Sequence, residues 1–356
     1  MTNPRIERLR KEIKANGLDA LLVLSLPNIR YLSGFSGSHA LCIVTLREAH
    51  FVTDGRYALQ SGTEVKGFRR TITLSGLFDG AARKQLLKGC RRVGFESHHL
   101  SYAHYRSLKR LFPSASLVPT TEVIENLALV KGRVEIAAMR KAAAISDTTF
   151  VEVLAAVQPG VRELDIAAEI SYRQRKHGAD RDAFEPIVAS GRRGCLPHAG
   201  ATRKRVRNGE LVTLDFGCVV RGYHSDLTRT VAVGRIAKKA REIYDVVLDA
   251  QQAALREAKG GMWAKELDAA AREHIRAAGY GRYFVHGLGH GIGLRLHERP
   301  RISALSKERL LPGSVVTIEP GVYVSGVGGA RIEDEALLTP TGCRVLTKAP
   351  KELIIL

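Results

Sequence analysis

The stretch from Glu210 to Thr230, ELVTLDFGCVVRGYHSDLTRT, contains two apolar runs, and each of them carries one aspartate. Asp215 interrupts the first run, and Asp226 follows eleven residues later, at the start of the second. The pair Arg221-Gly222 between the runs is typical of a tight turn, so the stretch predicts two paired strands that could bring the carboxylates together. Taken alone, each aspartate is more often a turn residue than a metal ligand.

The residues around this stretch predict a duplicated α+β unit. Two helical patterns precede it, at about 134–157 and 162–177, and two more follow it, at 236–258 and 264–278. From residue 282 onward the chain is rich in glycine and contains short apolar strands. Helices followed by strands, twice over, indicate two similar halves.

The first part of the chain predicts a smaller α/β domain. Strand-like and helix-like runs alternate there, and residues 28–38, which are rich in glycine and serine, predict a connector. Such alternation is typical of a sheet with helices packed on it. A longer helical pattern begins near residue 122, so we place a domain junction near residue 125, which gives domains at 1–125 and 126–356.

A histidine among glycines forms the next motif, HGLGHGIG at residues 286–293. Glycine at this density lets another chain segment approach closely beside the imidazole of His290. The Gly-Lys-Ser/Thr ending of a phosphate-binding loop is absent, and the spacing differs from that of an HExxH zinc helix. On this segment alone, a structural role and a ligand role for His290 remain equally open.

Two further carboxylates lie beside apolar runs. Glu319 follows VVTI at residues 315–318, and Glu333 follows Arg331-Ile332. A charge at the end of a buried strand is costly unless it is paired or binds a metal. Individually, each glutamate is more often half of a salt bridge than a ligand.

Taken together, these residues predict a metal centre made of four carboxylates and one imidazole: Asp215, Asp226, His290, Glu319 and Glu333. Oxygen ligands with one nitrogen suit Mn²⁺, Co²⁺ or Zn²⁺. Four carboxylates in one place would repel one another without divalent cations. A pair of such ions can share a water molecule and deprotonate it near neutral pH.

The motifs resemble the complete set of the M24 metallopeptidases, within which the Xaa-Pro dipeptidases (prolidases) and Xaa-Pro aminopeptidases are the most similar branch. The resemblance covers roughly residues 130–350 and is carried by TLDFG at 213–217, SDLTRT at 225–230, HGLGHGIG at 286–293, TIEPG at 317–321 and RIED at 331–334. The first part resembles the creatinase-type N-terminal domain of that branch, through NIRYLSGF at 28–35 and TDGRY at 53–57.

The resemblance implies a fold and a set of roles. The expected fold is α+β, with a C-terminal pita-bread domain and a smaller α/β N-terminal creatinase-like domain. Asp215 would bind one metal ion and His290 the other, while Asp226 and Glu333 would bridge the two. Glu319 would bind metal and relay protons. The expected cofactors are two divalent ions, with Mn²⁺ as the first candidate and Co²⁺ or Zn²⁺ as alternatives.

Three more residues match the family outside the ligand set. The flanks of His198 place it on the side of the leaving group, and those of His297 place it at the scissile carbonyl, so both are expected to be catalytic. Arg301 matches an arginine that holds a substrate carboxylate, although a salt bridge on the rim of the cleft is an equal alternative. Relatives often have Phe-Asp where this chain has Phe184-Glu185, so the cleft wall is expected to differ there.

The expected activity is metal-dependent hydrolysis of Xaa-Pro bonds in dipeptides or short peptides. Dipeptidase and aminopeptidase activities both remain open. The alternatives are a non-catalytic binding protein with the M24 fold and a creatinase-like C–N hydrolase. Both are disfavoured, because such relatives lack the complete ligand set.

Composition restricts partners and compartment. The net charge is +19, which raises the possibility of nucleic-acid binding, but the excess is spread along the chain and the densest run, residues 203–207, is short. The five scattered cysteines form no CxxC pair, which predicts a reducing cytoplasm. No apolar run approaches the roughly 18 residues of a membrane span. The expected partners are short proline-containing peptides and, from the resemblance, a second copy in a homodimer.

Overall fold

The computed structural model describes residues 3–356, and the chain forms two compact units, Met1–Ala128 and Leu129–Leu356. Within residues 3–356, no helix combines the length and the apolar character needed to cross a bilayer. Every strand and helix below belongs entirely to one of the two units.

The N-terminal unit is built on one mixed sheet of six strands in the order β4-β3-β2-β1-β5-β6. The strands are β1 (Ala20–Val23), β2 (Leu41–Thr45), β3 (Ala49–Asp54), β4 (Arg69–Thr73), β5 (Arg92–Glu96) and β6 (Ser116–Thr120). The helices are α1 (Pro4–Ala15), α2 (Leu26–Ser33), α3 (Ala58–Glu64), α4 (Leu77–Arg83), α5 (Tyr102–Leu111) and α6 (Val123–Ala128). Apolar side chains of β1, β2, β3 and β5 form the core of this unit with residues of α4 and α5.

The prediction of a connector at residues 28–38 is wrong for its first half, because α2 occupies that part. Pro27 lies in the first turn of this helix, where a missing N–H group costs nothing. Gly34 ends the helix in the left-handed conformation, with φ at 85°. Ile29, Tyr31 and Leu32 are buried, so packing of one face stabilises a helix that the glycine and serine residues directly after it hid.

The C-terminal unit repeats one pattern twice, a helix pair followed by strands. The first half contains α7 (Arg133–Val153), α8 (Glu163–Lys176), β7 (Arg181–Asp182), β8 (Ile187–Ser190), β9 (Glu210–Phe216), β10 (Cys218–Val220), β11 (Tyr223–His224) and β12 (Leu227–Val233). The second half contains α9 (Lys238–Glu257), α10 (Ala264–Ala277), β13 (Gly289–Gly291), β14 (Glu298–Ile302), β15 (Val315–Ile318), β16 (Gly321–Val324), β17 (Gly328–Arg331), β18 (Asp334–Thr339) and β19 (Gly342–Val345).

The strands of this unit form four sheets. Their orders are β12-β9-β8, β11-β10-β7, β14-β13-β15-β18-β19 and β16-β17. Strands β9 and β12 are antiparallel, and Asp215 pairs with Thr228. Between them, Arg221 and Gly222 both have positive φ values, 51° and 81°, as the two-residue turn of the β10-β11 hairpin requires.

The last residues of the chain fasten to strand β12. The backbone of Ala232 donates to Ile354 O and accepts from Leu356 N, both at 2.9 Å. The buried guanidinium of Arg229 donates from Nε to Pro350 O at 2.9 Å and from Nη2 to Ala349 O at 2.8 Å. Nη2 also contacts Asp334 Oδ1 at 2.7 Å, so one side chain ties β12 to β18 and to the C-terminal segment.

Candidate metal centre

The five predicted ligands lie at strand ends or, for His290, in a very short strand. Asp215 lies near the end of β9 and Asp226 just before β12, while Glu319 follows β15 and Glu333 precedes β18. Ile318 pairs with Asp334 across β15 and β18, so the neighbouring Glu319 and Glu333 leave the sheet at the same edge. The topology therefore directs all four carboxylates to one region of the C-terminal unit.

His290 occupies β13, where glycine is required on both sides. A Cβ atom at Gly289 would overlap the carbonyl of Thr317, and one at Gly291 would overlap that of Arg299. The short strand can therefore lie between β14 and β15 only without these side chains, which explains the Gly-His-Gly spacing. The backbone N–H of His290 donates to Thr317 Oγ1 at 3.0 Å.

The side chains meet at distances that suit a shared cation. One ligand atom from each of Asp226, His290 and Glu333 lies within 4.8 Å of the other two. Nε2 of His290 lies 3.4 Å from Glu319 Oε1 and 3.7 Å from Asp226 Oδ2. The structure thus brings four of the predicted ligands into one cluster, and the fifth, Asp215, is linked to it through Arg331, described below.

The imidazole of His290 is oriented as a metal ligand would be. Nδ1 lies 3.0 Å from the carbonyl oxygen of Gly291, and this contact places the proton on Nδ1. Nε2 then keeps its lone pair and faces the carboxylates. Burial lowers the pKa of His290, which favours the neutral form that binds metal.

Two carboxylate oxygens of the predicted ligands are buried without a hydrogen-bond partner among the described residues. They are Oδ1 of Asp215 and Oε1 of Glu333, while the second oxygen of each carboxylate is hydrogen-bonded. A buried unpaired oxygen is costly, and native proteins rarely leave one unexplained. Two such oxygens, one of them in the cluster that contains the imidazole of His290, fit a metal site well.

The pKa values of the clustered carboxylates also indicate a metal site. Burial, followed by the neighbouring carboxylates, raises the pKa values of Asp226 and Glu333 well above their usual range. Burial also raises the pKa of Glu319 to about 7. These carboxylates cannot all be ionised in a dry site unless positive charge is supplied. Divalent cations would provide that charge.

Arg331 supports the cluster, although its role was not predicted. Its buried guanidinium forms an ion pair with Asp215 Oδ2 and donates to Tyr323 Oη at 2.8 Å and to Thr228 Oγ1 at 3.2 Å. Thr228 in turn donates to Glu333 Oε2 at 2.6 Å. The signal in the sequence was the arginine of the RIED motif, but its partners depend on strand register.

Two other carboxylates hold backbone near the cluster. Glu335, which is fully buried, accepts from the backbone N–H of Asp226 at 2.8 Å. Asp268 of α10 accepts from Leu288 N at 3.0 Å and pairs with Arg272, whose guanidinium donates to His286 O at 2.7 Å. The segment that leads into His290 is thus anchored to a helix.

His297 lies against the predicted ligand His290. Their ring centroids are 4.3 Å apart in an edge-to-face arrangement, and His297 is exposed. Partial desolvation of the ring and the neighbouring His290 lower the pKa of His297, and His198 lowers it further. A buried ion pair between Lys131 and Glu298, 2.8 Å long, anchors the chain immediately after His297.

His198 and Arg301 lie at more exposed positions. His198 is exposed, in the loop after a 3₁₀ turn at Gly191–Cys195. Arg301 is exposed and pairs with His290 across β13 and β14, so the two side chains share one face of the sheet. Its backbone N–H donates to Glu308 Oε2 at 2.7 Å. Glu185, the departure noted above, is exposed.

Known proteins match this chain over both units. The profile of metallopeptidase family M24 matches residues 137–340, and that of the creatinase/prolidase N-terminal domain matches residues 5–130. The chain belongs to metallopeptidase family M24. The predicted family and the α+β, pita-bread fold are thereby confirmed, and membership of this family implies divalent metal ions.

Three relatives illustrate the range of the match. An Xaa-Pro dipeptidase of Pyrococcus furiosus is 38% identical over 98% of this chain and 99% of its own length. The solved structure of an Xaa-Pro dipeptidase from Bacillus anthracis is 40% identical, covers 99% of each chain and has a TM-score of 0.97. That of an X-Pro aminopeptidase from Thermotoga maritima is 34% identical, covers 98% of this chain and all of its own, and has a TM-score of 0.91.

Proposed function

We propose that this M24 chain is a metal-dependent exopeptidase that hydrolyses Xaa-Pro bonds of dipeptides or short peptides. The observation that carries the proposal is the cluster of Asp226, His290, Glu319 and Glu333. Two buried carboxylate oxygens, on Glu333 and on Asp215, have no hydrogen-bond partner among the described residues. The relatives named as Xaa-Pro dipeptidases support the choice of substrate. The complete donor set disfavours a non-catalytic binding protein and a creatinase-like hydrolase.

The donor atoms suggest how the residues would share two ions. Asp215 would hold one and His290 the other, with Asp226 and Glu333 between them and Glu319 as a further ligand. Mn²⁺ is the first candidate, and Co²⁺ or Zn²⁺ would also suit oxygen ligands with one nitrogen. When bound, such ions polarise a carbonyl group and lower the pKa of a water molecule.

The residues around the cluster would carry the remaining steps. Glu319, whose Oε1 accepts from Thr317 Oγ1 at 3.1 Å, would take a proton from the attacking water and deliver it to the prolyl nitrogen. The exposed imidazole of His297 would donate to the oxygen of the scissile carbonyl. His198 would lie on the side of the leaving proline.

Arg301 bears on the length of the substrate. A guanidinium holds a carboxylate with two parallel hydrogen bonds, and this one shares a sheet face with His290. The carboxylate of an Xaa-Pro dipeptide lies on the proline itself, near the reacting bond. We therefore propose dipeptides as the preferred substrates, with aminopeptidase activity as the alternative.

Two further proposals concern the setting of the protein. The five cysteines are free, which supports the cytoplasmic location expected from their spacing. A homodimer stays a proposal that rests on the family resemblance alone.

The test is a substrate panel on protein loaded with Mn²⁺, Co²⁺ or Zn²⁺. Xaa-Pro dipeptides, Xaa-Pro-Yaa tripeptides and matched Xaa-Ala dipeptides would be incubated with the protein, and released proline or amino-terminal residue quantified. We expect cleavage of Xaa-Pro dipeptides, slower cleavage of tripeptides and little cleavage of Xaa-Ala. Absence of Xaa-Pro cleavage with every metal would refute the proposal.

A further inference from the structure

A fully buried glutamate, Glu163, lies outside the metal centre and has no role in the steps above. It is the first residue of α8, and its side chain is 0% exposed. Burying a carboxylate is costly unless several donors surround it. The donors around the carboxylate of Glu163 therefore show which part of the chain it holds in place.

The side chain of Glu163 accepts hydrogen bonds from both ends of one loop and from an arginine inside it. At the first end, Ser190 donates from its backbone N and from Oγ to Oε1, both at 2.8 Å. At the other end, Thr202 donates from its backbone N at 3.1 Å and from Oγ1 at 2.7 Å to Oε2. Arg193 forms an ion pair with Oε2 from inside the loop. We define residues 191–201 as the His198 loop.

Further contacts join this loop to the metal centre. The guanidinium of Arg193 donates to Gly200 O at 2.8 Å, which closes the loop on itself. A Cβ atom at Gly329 of β17 would overlap the carbonyl of Gly194, so the loop lies directly on that strand. At the end of the same strand, Arg331 donates to Pro197 O at 3.1 Å, immediately before His198.

His198 is thus exposed at its side chain but fixed through its backbone. Arg331, which binds Pro197, also forms an ion pair with the predicted ligand Asp215. The position of His198 relative to the metal centre therefore depends on the His198 loop, and residues at both ends of this loop bond the carboxylate of Glu163. Loss of that carboxylate would remove side-chain contacts from both ends at once, although Ser190 would remain paired with Val212 in the sheet.

We propose that Glu163 is a positioning residue that sets the place of His198 in the substrate site by holding both ends of the His198 loop. The proposal rests on the proposed Xaa-Pro peptidase function for its kinetic consequences, but not for its structural ones. Misplacing an active-site group by about 1 Å can cost about a hundredfold in rate, so a residue remote from the chemistry can matter this much.

The kinetic test is a double-mutant cycle on metal-loaded enzyme with an Xaa-Pro dipeptide. We expect Glu163→Gln to lower kcat/KM by about tenfold or more, and to change the same parameter, kcat or KM, as His198→Ala does. In the His198→Ala background, Glu163→Gln should cost no more than about twofold, because its effect passes through the missing side chain. Metal content should be unchanged in all four proteins.

The structural test needs no activity. Trypsin should cleave native Glu163→Gln after Arg192 or Arg193 about tenfold faster than wild type, because the loop opens more often. Asp165→Asn is the matched control, since it removes a charge from the same helix turn, where Asp165 pairs with the exposed Arg162. If Glu163→Gln does not fold, Thr202→Val can be used instead, because it removes one hydrogen-bond donor to Glu163. Thr202→Ser keeps that donor and should show wild-type rates of catalysis and of trypsin cleavage.

The outcomes separate the two proposals. Additive losses in the cycle, or an unchanged rate of loop cleavage, would overturn the role of Glu163. Wild-type protein that cleaves no Xaa-Pro substrate would instead refute the proposed function, and the trypsin rates would then decide alone whether Glu163 holds the loop.

Discussion

Thr228 donates a hydrogen bond of 2.6 Å to Oε2 of Glu333, and the other oxygen of that carboxylate is left unpaired among the described residues. One hydroxyl thus fixes the orientation of the predicted bridging ligand. The same hydroxyl accepts from Nε of Arg331 at 3.2 Å, so it cannot turn away from Glu333 without losing a second contact.

Replacing this hydroxyl should weaken metal retention. Thr228→Val keeps the size and branching of the side chain but removes the donor, and such supporting contacts are typically worth about 10–100-fold in metal affinity. Thr228→Ser should behave almost like wild type. Competition with a chelator measures the affinity, and Thr148→Val, which alters an exposed threonine, is the control. Equal metal affinity in Thr228→Val and wild type would contradict this role.

Removing the metal should abolish activity and lower the melting temperature. Divalent ions that bind only the folded state stabilise it by mass action, and without them the buried carboxylates must take up protons or repel one another. Dialysis against a chelator followed by Mn²⁺ or Co²⁺ should restore activity and the melting temperature together. Full activity in protein shown by elemental analysis to be free of metal would exclude a metal-dependent mechanism.

Two substitutions should separate metal binding from carbonyl binding. Glu333→Gln should lower both metal content and rate, because this residue is expected to touch both ions. His297→Ala should lower kcat by about 10²–10³, as loss of an oxyanion donor does, with metal content near normal. Loss of both metals in His297→Ala would show that this histidine supports the ligands instead.

The role of Arg301 can be measured through substrate length. Arg301→Ala should raise KM for Xaa-Pro more than for Xaa-Pro-Yaa, because only the dipeptide places its carboxylate on the proline. Arg301→Lys should recover part of the loss, since an ammonium lacks the two-pronged geometry. Arg309→Ala, at another exposed arginine of this unit, is the control. Equal losses of kcat/KM on both substrates would favour an aminopeptidase.

The pair of Arg229 and Asp334 should dominate the stability of the C-terminal unit. Both side chains are buried, at 1% and 0% exposure, and removing Arg229 leaves the buried Asp334 paired with the partly exposed Lys351. Arg229→Met is expected to lower the free energy of unfolding by about 3–5 kcal/mol. Urea denaturation measures this loss. A change within about 0.5 kcal/mol, as for an ordinary surface substitution, would contradict the expectation.

The sequence was informative where chemistry and spacing coincide. Four predicted ligands stood out as carboxylates beside apolar runs, and His290 stood out among glycines. The structure brings Asp226, His290, Glu319 and Glu333 together. Their roles stay predictions. The contacts of Thr228 and Glu335 were not foreseeable in the same way, because they depend on which residues face each other across strands that are distant in sequence.

The missed elements have a similar cause. Helix α2 escaped notice because the glycine and serine residues at 34–38, directly after it, indicate a loop, while the packing that stabilises the helix comes from other parts of the chain. Glu163 reads from the sequence as an ordinary acidic residue in the first turn of a helix. Only the fold reveals that its partners are Ser190 and Thr202.

Because strand β12 contacts both the metal centre and the C-terminal segment, hydrogen exchange in that segment can report metal occupancy. Thr228 contacts the metal centre, while its neighbour Arg229 bonds the carbonyls of Ala349 and Pro350. If metal binding stabilises strand β12, it should also make opening of the C-terminal segment less frequent, because the two equilibria are linked and linkage is reciprocal. Deuterium uptake at the amides of Ala232 and Leu356 should therefore fall as the centre fills, which lets mass spectrometry follow occupancy without any substrate.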